Sequence, residues 1–251
     1  MNAISMSKSR IKNESAMMAT LLRSVPAAAT AVFLLAVITM NFLSRITLVS
    51  LPWLALNAGI LVSWLSFLYL DVVTKHYGAR AANALSFLAI GANLLCCVVC
   101  FVISRIWHRP GLDMFLGGQW SILLASTLAF AVSALTNNYT NIFIGRRFTA
   151  NPDGKTAYAV RSFVSTFLSQ ILDNFLFVFL AFVVFSRIPG AFPVQWTVNQ
   201  CIGCSVLCAA FELLSEVIFS PLGYLVIQKW KRNDVGRDYI EKYCPNGVLK
   251  G

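Results

Sequence analysis

Charge is what this sequence has least of. Only 12% of its 251 residues are Asp, Glu, Lys or Arg, whereas 58% are hydrophobic. A soluble domain of this length needs about twice that charged fraction to cover its core, so a water-soluble globule is excluded. Histidine is also scarce. The only two, His76 and His108, fall at opposite expected membrane faces and cannot share a metal ion. There is no phosphate-cradling glycine loop, no strand-turn-helix nucleophile motif and no paired-histidine zinc motif, which removes the common enzyme classes with local signatures. Seven cysteines are present, but Cys96, Cys97, Cys100, Cys201, Cys204 and Cys208 lie inside apolar stretches, so they do not form the framework of a small secreted fold. Cys201, Cys204 and Cys208 share a helix face, and small apolar packing explains them better than a thiolate metal site.

What the chain does have is long hydrophobic runs. A spanning helix takes about 20 mostly apolar residues. Such runs occur at about Val25 to Leu43, Ala58 to Val73, Ala84 to Ile106, Trp120 to Ile144, Phe163 to Phe185 and Val198 to Ile218. The expected fold is all-α and polytopic, a bundle of six transmembrane helices. The stretch Ser44 to Asn57, with Pro52 and Trp53, is apolar but too short to cross, so a re-entrant or interfacial segment is expected there.

The net charge of +10 does not imply nucleic acid, because the basic residues sit between apolar runs instead of gathering on one solvated face. Their distribution sets orientation. Sixteen of the 20 Lys and Arg fall before the first run or after the second, fourth and sixth; Arg45, Arg105, Arg109 and Arg187 fall on the other side. That bias places both termini in the cytoplasm. The expected organisation is a basic cytoplasmic segment over 1–24, a six-helix domain over 25–228 and a basic, solvated cytoplasmic tail over 229–251. Pro221 should kink or end the last helix. Ala27 and Ala31 have the small-xxx-small spacing of close helix packing.

Four carboxylates nevertheless interrupt the apolar runs: Asp71, Asp173, Glu212 and Glu216. Each costs roughly 2.5 to 3.5 kcal/mol at mid-helix, so their retention points to a site. Gln170, Asp173 and Asn174 share one helical face, and Glu212 and Glu216 stack one turn apart. Further amides, Asn93, Asn137, Asn138, Asn141, Asn199 and Gln200, accompany them. Interhelical bonding is the plainer role for any single amide, and Lys75, one turn after Asp71, could simply neutralise it.

The order of two motifs resembles one family. Ser63 to Gly78, SWLSFLYLDVVTKHYG, followed by Ala79 to Ala82, is similar to the first signature of the queuosine-precursor transporters, also called vitamin-uptake (VUT) transporters. Ser165 to Phe177, STFLSQILDNFLF, resembles their second signature, Ser-Gln-x-x-Asp, and the likeness extends from about Ile38 to Tyr224. Lys75 stands where many members have Glu, and Asn137 and Thr140 where many have Gln and Asp, which puts the chain nearest a divergent branch of the family.

The resemblance implies six helices and uptake of a 7-deazaguanine such as 7-cyano-7-deazaguanine, or a related vitamin-like compound. A guanine-like edge presents adjacent N–H donors that a carboxylate accepts in pairs, with amides reading the neighbouring carbonyl. The expected substrate-binding set is Asp71, Asn137, Asn141, Gln170, Asp173, Asn174 and Glu212, with Trp64 and Phe67 offering aromatic faces to a flat ring. No catalytic residue, metal or other cofactor is expected. The expected partners are a small-molecule substrate and the lipid bilayer, with no nucleic acid. A homo-oligomer and a separate ATPase module, as in energy-coupled vitamin importers, both stay open, as does a membrane enzyme or scaffold.

Overall fold

The computed structural model describes residues 3–106, 116–145 and 155–244. Each of the six apolar runs lies largely within a helix. The order is α1 (Ala3–Ser24), α2 (Ala27–Leu43), β1 (Thr47–Ser50), β2 (Ala55–Asn57), α3 (Ile60–Tyr77), α4 (Ala79–Ile106), α5 (Gln119–Gly145), α6 (Lys155–Phe179), α7 (Val198–Arg232) and α8 (Arg237–Tyr243). α6 is prolonged by one wide turn, Leu180–Val184, and one tight turn, Phe185–Arg187.

By length and composition, three described segments suffice to cross a bilayer: Ala79–Ile106, Phe167–Arg187 and Val198–Phe219. A fourth is formed if Asn13–Ser24 and Ala27–Leu43, bent by 105°, count as one broken span. The chain is a helical membrane protein. Large apolar side chains on α4 and α7, among them Phe87, Leu95, Val98, Val206 and Val217, point outward more than half exposed. Water would penalise such a surface, and lipid does not.

The chain forms two compact units. The first comprises residues 1–37, 63–92 and 216–251, and the second 38–62 and 93–215.

In the first unit, Met17, Leu21 and Phe33 pack with Tyr69, Val73, Tyr77, Leu85, Trp230 and Tyr239. Phe33 stacks on Tyr69 at 4.5 Å, and the Tyr69 hydroxyl bonds Thr30 Oγ1 at 3.0 Å. The C-terminal region is not a free, solvated tail. α7 runs on to Arg232, and α8 folds back so that Tyr239 is fully buried. Gly236 makes this turn at φ +75°, a left-handed conformation that costs glycine little, and any side chain there would strike the Tyr77 ring. His76 Nε2 bonds the Val235 carbonyl at 2.8 Å, and the Tyr77 hydroxyl donates to the Ser24 carbonyl at 2.8 Å.

Pro221 neither ends nor interrupts α7. A proline forfeits one helix bond, but in an apolar helix packing restores the segment, and here Gly223 lies against Leu68 and Val72. Ala27 and Ala31 are both exposed, so their small-residue spacing serves no packing within the described protein.

In the second unit, Ile122, Val178, Phe182, Trp196, Cys201, Cys204 and Cys208 form the core. The three cysteines therefore pack as small apolar residues, with Cys204 and Cys208 sulfurs 3.7 Å apart. The Ser44–Asn57 stretch departs from an all-α fold: β1 and β2 pair antiparallel as a hairpin around Pro52 and Trp53. Chain that cannot complete a helix must satisfy its backbone some other way, and a hairpin does so locally. Gly203 admits the hairpin because a Cβ there would collide with the Trp53 carbonyl. α7 opens with Thr197 and Gln200 exchanging side-chain and backbone bonds of 3.2 and 2.8 Å, and Gln200 Nε2 reaches the Leu51 carbonyl at 2.8 Å. Gln200 is thus a cap and a hairpin clasp, not a group lining a site.

Candidate functional site

Helical periodicity places Gln170, Asp173 and Asn174 at i, i+3 and i+4, so one face of α6 carries all three. Four residues per turn likewise carry Cys204, Cys208, Glu212 and Ser215 along the buried face of α7. These faces meet in the second unit. Asn174 Nδ2 donates to Glu212 Oε2 at 3.1 Å and to the Gln170 carbonyl, one turn back, at 3.0 Å. α5 adds Ser133, whose Oγ lies 2.9 Å from Asp173 Oδ1. Glu212 and Gln170 are 4% and 8% exposed, whereas Asp173 and Asn174 are half-buried. The cluster is therefore enclosed on the α7 side.

Acceptors dominate its chemistry. Both carboxyl groups and the Gln170 backbone carbonyl accept, and the Gln170 side-chain Oε1 is buried with no partner among the described residues. The Asn174 amide spends both of its hydrogens within the protein. Among the described residues there are three ion pairs, and none involves Asp173 or Glu212. Two mid-helix carboxyl groups cost about 5 to 7 kcal/mol together on insertion scales. Two interhelical hydrogen bonds return only about 1 to 3 kcal/mol. Adhesion between helices therefore does not account for the pair. A ligand that presents N–H donors would fill the unmet acceptors.

The other expected site residues stand differently. Asp71, Trp64 and Phe67 belong to the first unit. Asp71 is ion-paired with Lys75 at 2.7 Å, with Lys75 largely in the open. Trp64 stacks on Phe219 at 4.1 Å, and Phe67 is half-buried. Asn137 and Asn141 sit on the α5 helix, but their side chains, like that of Glu216, lie outside the described residues. Ser133 escaped the sequence reading, although Ser133, Asn137 and Asn141 recur every four residues and so share a face.

A second polar lattice was legible only through Asn93. Asn41 Nδ2 donates to Asn93 Oδ1 at 3.0 Å, and Asn93 Nδ2 donates to the Leu123 carbonyl at 3.0 Å and to Thr127 Oγ1 at 3.1 Å. Gln119 Nε2 donates to the Asn41 carbonyl at 3.2 Å. These bonds largely satisfy their members and fasten α2, α4 and α5. Among the described residues no three His, Cys, Asp or Glu converge as a metal site.

Two carboxyl groups and a buried amide acceptor inside one unit of a helical membrane protein suit the handling of a polar small molecule. The family comparison agrees: residues 57–226, well over half of the chain, match Vut_1, "Putative vitamin uptake transporter". The chain belongs to this vitamin uptake transporter family. No curated protein and no solved structure matches it.

Proposed function

We propose that the protein imports a small polar heterocycle, a 7-deazaguanine-type queuosine precursor or a related vitamin-like compound, at the cluster of Gln170, Asp173, Asn174 and Glu212. One observation carries the reading: the cluster holds two carboxyl groups and a buried amide oxygen, Gln170 Oε1, that has no partner among the described residues. Such a heterocycle supplies adjacent N–H donors to the carboxyl groups, and Asn137 and Asn141 read its carbonyl from α5.

On this reading the chain crosses six times, with 1–24 and 229–251 in the cytoplasm of a bacterial inner membrane and 25–228 as the transporter domain. Only the positive-inside charge bias orients them. The protein acts as a carrier and not as an enzyme, sufficient without an ATPase module.

The test is import of labelled 7-cyano-7-deazaguanine by cells that lack any other route for it. Expression of the chain should confer uptake, and Asp173→Asn or Glu212→Gln should abolish it. Absence of uptake, or an Asp173→Asn variant at full rate, would overturn the proposal.

A further inference from the structure

We infer that import is proton-coupled and that the Asp173–Glu212 pair carries the proton. This inference rests on the carrier reading above and names its energy source.

Three observations meet here. First, neither carboxyl group has a basic partner among the described residues, and each is met by a single neutral group, Ser133 or Asn174. Second, the two groups are neighbours across α6 and α7: Asn174, next in sequence to Asp173, donates to Glu212 at 3.1 Å, and the Cys208 thiol one turn before Glu212 supplies no positive charge. The other described groups facing the pair, Ser133 on α5 and Gln170 and Asn174 on α6, are neutral. Two ionised carboxylates among these groups would repel one another, and a proton removes that conflict.

Third, the Ser133 hydroxyl lies 3.0 Å from the Phe130 carbonyl and 2.9 Å from Asp173 Oδ1. One hydroxyl hydrogen can serve both only as a shared, weaker three-centre bond. Two full bonds form when Asp173 is protonated and donates to Ser133 Oγ while Ser133 donates to Phe130. The geometry thus has a place for a proton on Asp173.

In the cycle that follows, a proton from the outer side protonates the pair. The protonated site binds neutral cargo through its remaining acceptors. Proton and cargo leave together on the inner side, so one proton and one cargo molecule disappear outside and appear inside. With this stoichiometry a pH difference of one unit supports about tenfold accumulation.

The full-length chain reconstituted in liposomes with a trapped pH dye tests this with labelled 7-cyano-7-deazaguanine as the probe. An acid exterior should drive accumulation and acidify the lumen, and Glu212→Gln should abolish both. Accumulation that follows a sodium gradient at equal pH, or that leaves the lumen pH unchanged, overturns proton coupling while sparing the carrier reading.

A second readout needs no cargo. Infrared difference spectra of purified wild-type protein at neutral pH should show the carbonyl band of a protonated carboxylic acid, lost in the Asp173→Asn, Glu212→Gln double variant. Its absence from the wild type overturns the inference even if the probe is not transported. Its presence without transport of the probe supports the proton site and counts against the proposed cargo.

Discussion

Glu212→Gln separates a site carboxyl group from a structural ion pair by magnitude alone. Glu212 is 4% exposed and accepts one bond, from Asn174 Nδ2 at 3.1 Å. Gln keeps the shape and the accepting carbonyl. If the carboxyl group has no cationic partner, the exchange alters about one neutral hydrogen bond and costs about 0.5 to 1.5 kcal/mol. If it instead neutralises a buried cation, that charge is left alone, at about 3 to 5 kcal/mol. On the soluble-domain scale of roughly 2 to 4 °C per kcal/mol, the first case shifts Tm by no more than about 6 °C and the second by up to about 20 °C. Thermal unfolding of purified protein in detergent measures this, with uptake recorded in parallel. The reasoning predicts a small Tm shift with lost uptake. A large Tm loss, or uptake at the wild-type rate, refutes it.

Other perturbations test neighbouring parts of the structure. The Asp71–Lys75 pair is an i,i+4 surface-type bridge, so Lys75→Met should change stability by no more than about 0.5 kcal/mol in thermal unfolding. Gly203→Val should push the hairpin off α7, because its side chain meets the Trp53 carbonyl; a loss of about 1 to 3 kcal/mol should appear in the same assay. His76 lies past the apolar run that ends at Val73, and burial holds its pKa below the usual histidine value despite its bond to Val235. The unfolded chain therefore binds more protons on acidification. The His76 contribution is fully present above about pH 6.5 and fades as pH falls below it. Hydrogen-exchange protection at residues 233–244, taken relative to the intrinsic exchange rate at each pH, should fall on mild acidification in the wild type and much less in His76→Gln. An equal fall in both would clear His76 of the role.

Helix positions were readable from the sequence because hydrophobic periodicity and charge-free length are local properties. Asp173 with Gln170 and Asn174 was readable for the same reason, since spacing within one helix fixes a common face. Which helix faces that stripe is a tertiary fact, so Ser133 and the Asn174–Glu212 bond emerged only from the packing. The hairpin was hidden because an apolar stretch too short to span carries no strict alternation. The C-terminal fold-back was hidden because its basic residues look solvated, whereas a single buried aromatic, Tyr239, and a left-handed glycine, Gly236, determine its path. Pro221 shows the limit of a local rule: its cost is real, but contacts on the same helix outweigh it.

The claim on which the account depends is that Gln170, Asp173, Asn174 and Glu212 hold a small molecule. Ligand-dependent thermal stabilisation of the purified protein, screened over deazapurines, purines and vitamins, tests it most directly. At a hundredfold excess over Kd a true ligand adds about 2.7 kcal/mol, or very roughly 5 to 10 °C on the same soluble-domain scale. The account predicts such a gain with 7-cyano-7-deazaguanine or a close relative, absent in the Asp173→Asn, Glu212→Gln double variant. A protein stabilised by none of these compounds, or a double variant stabilised as fully as the wild type, would contradict it.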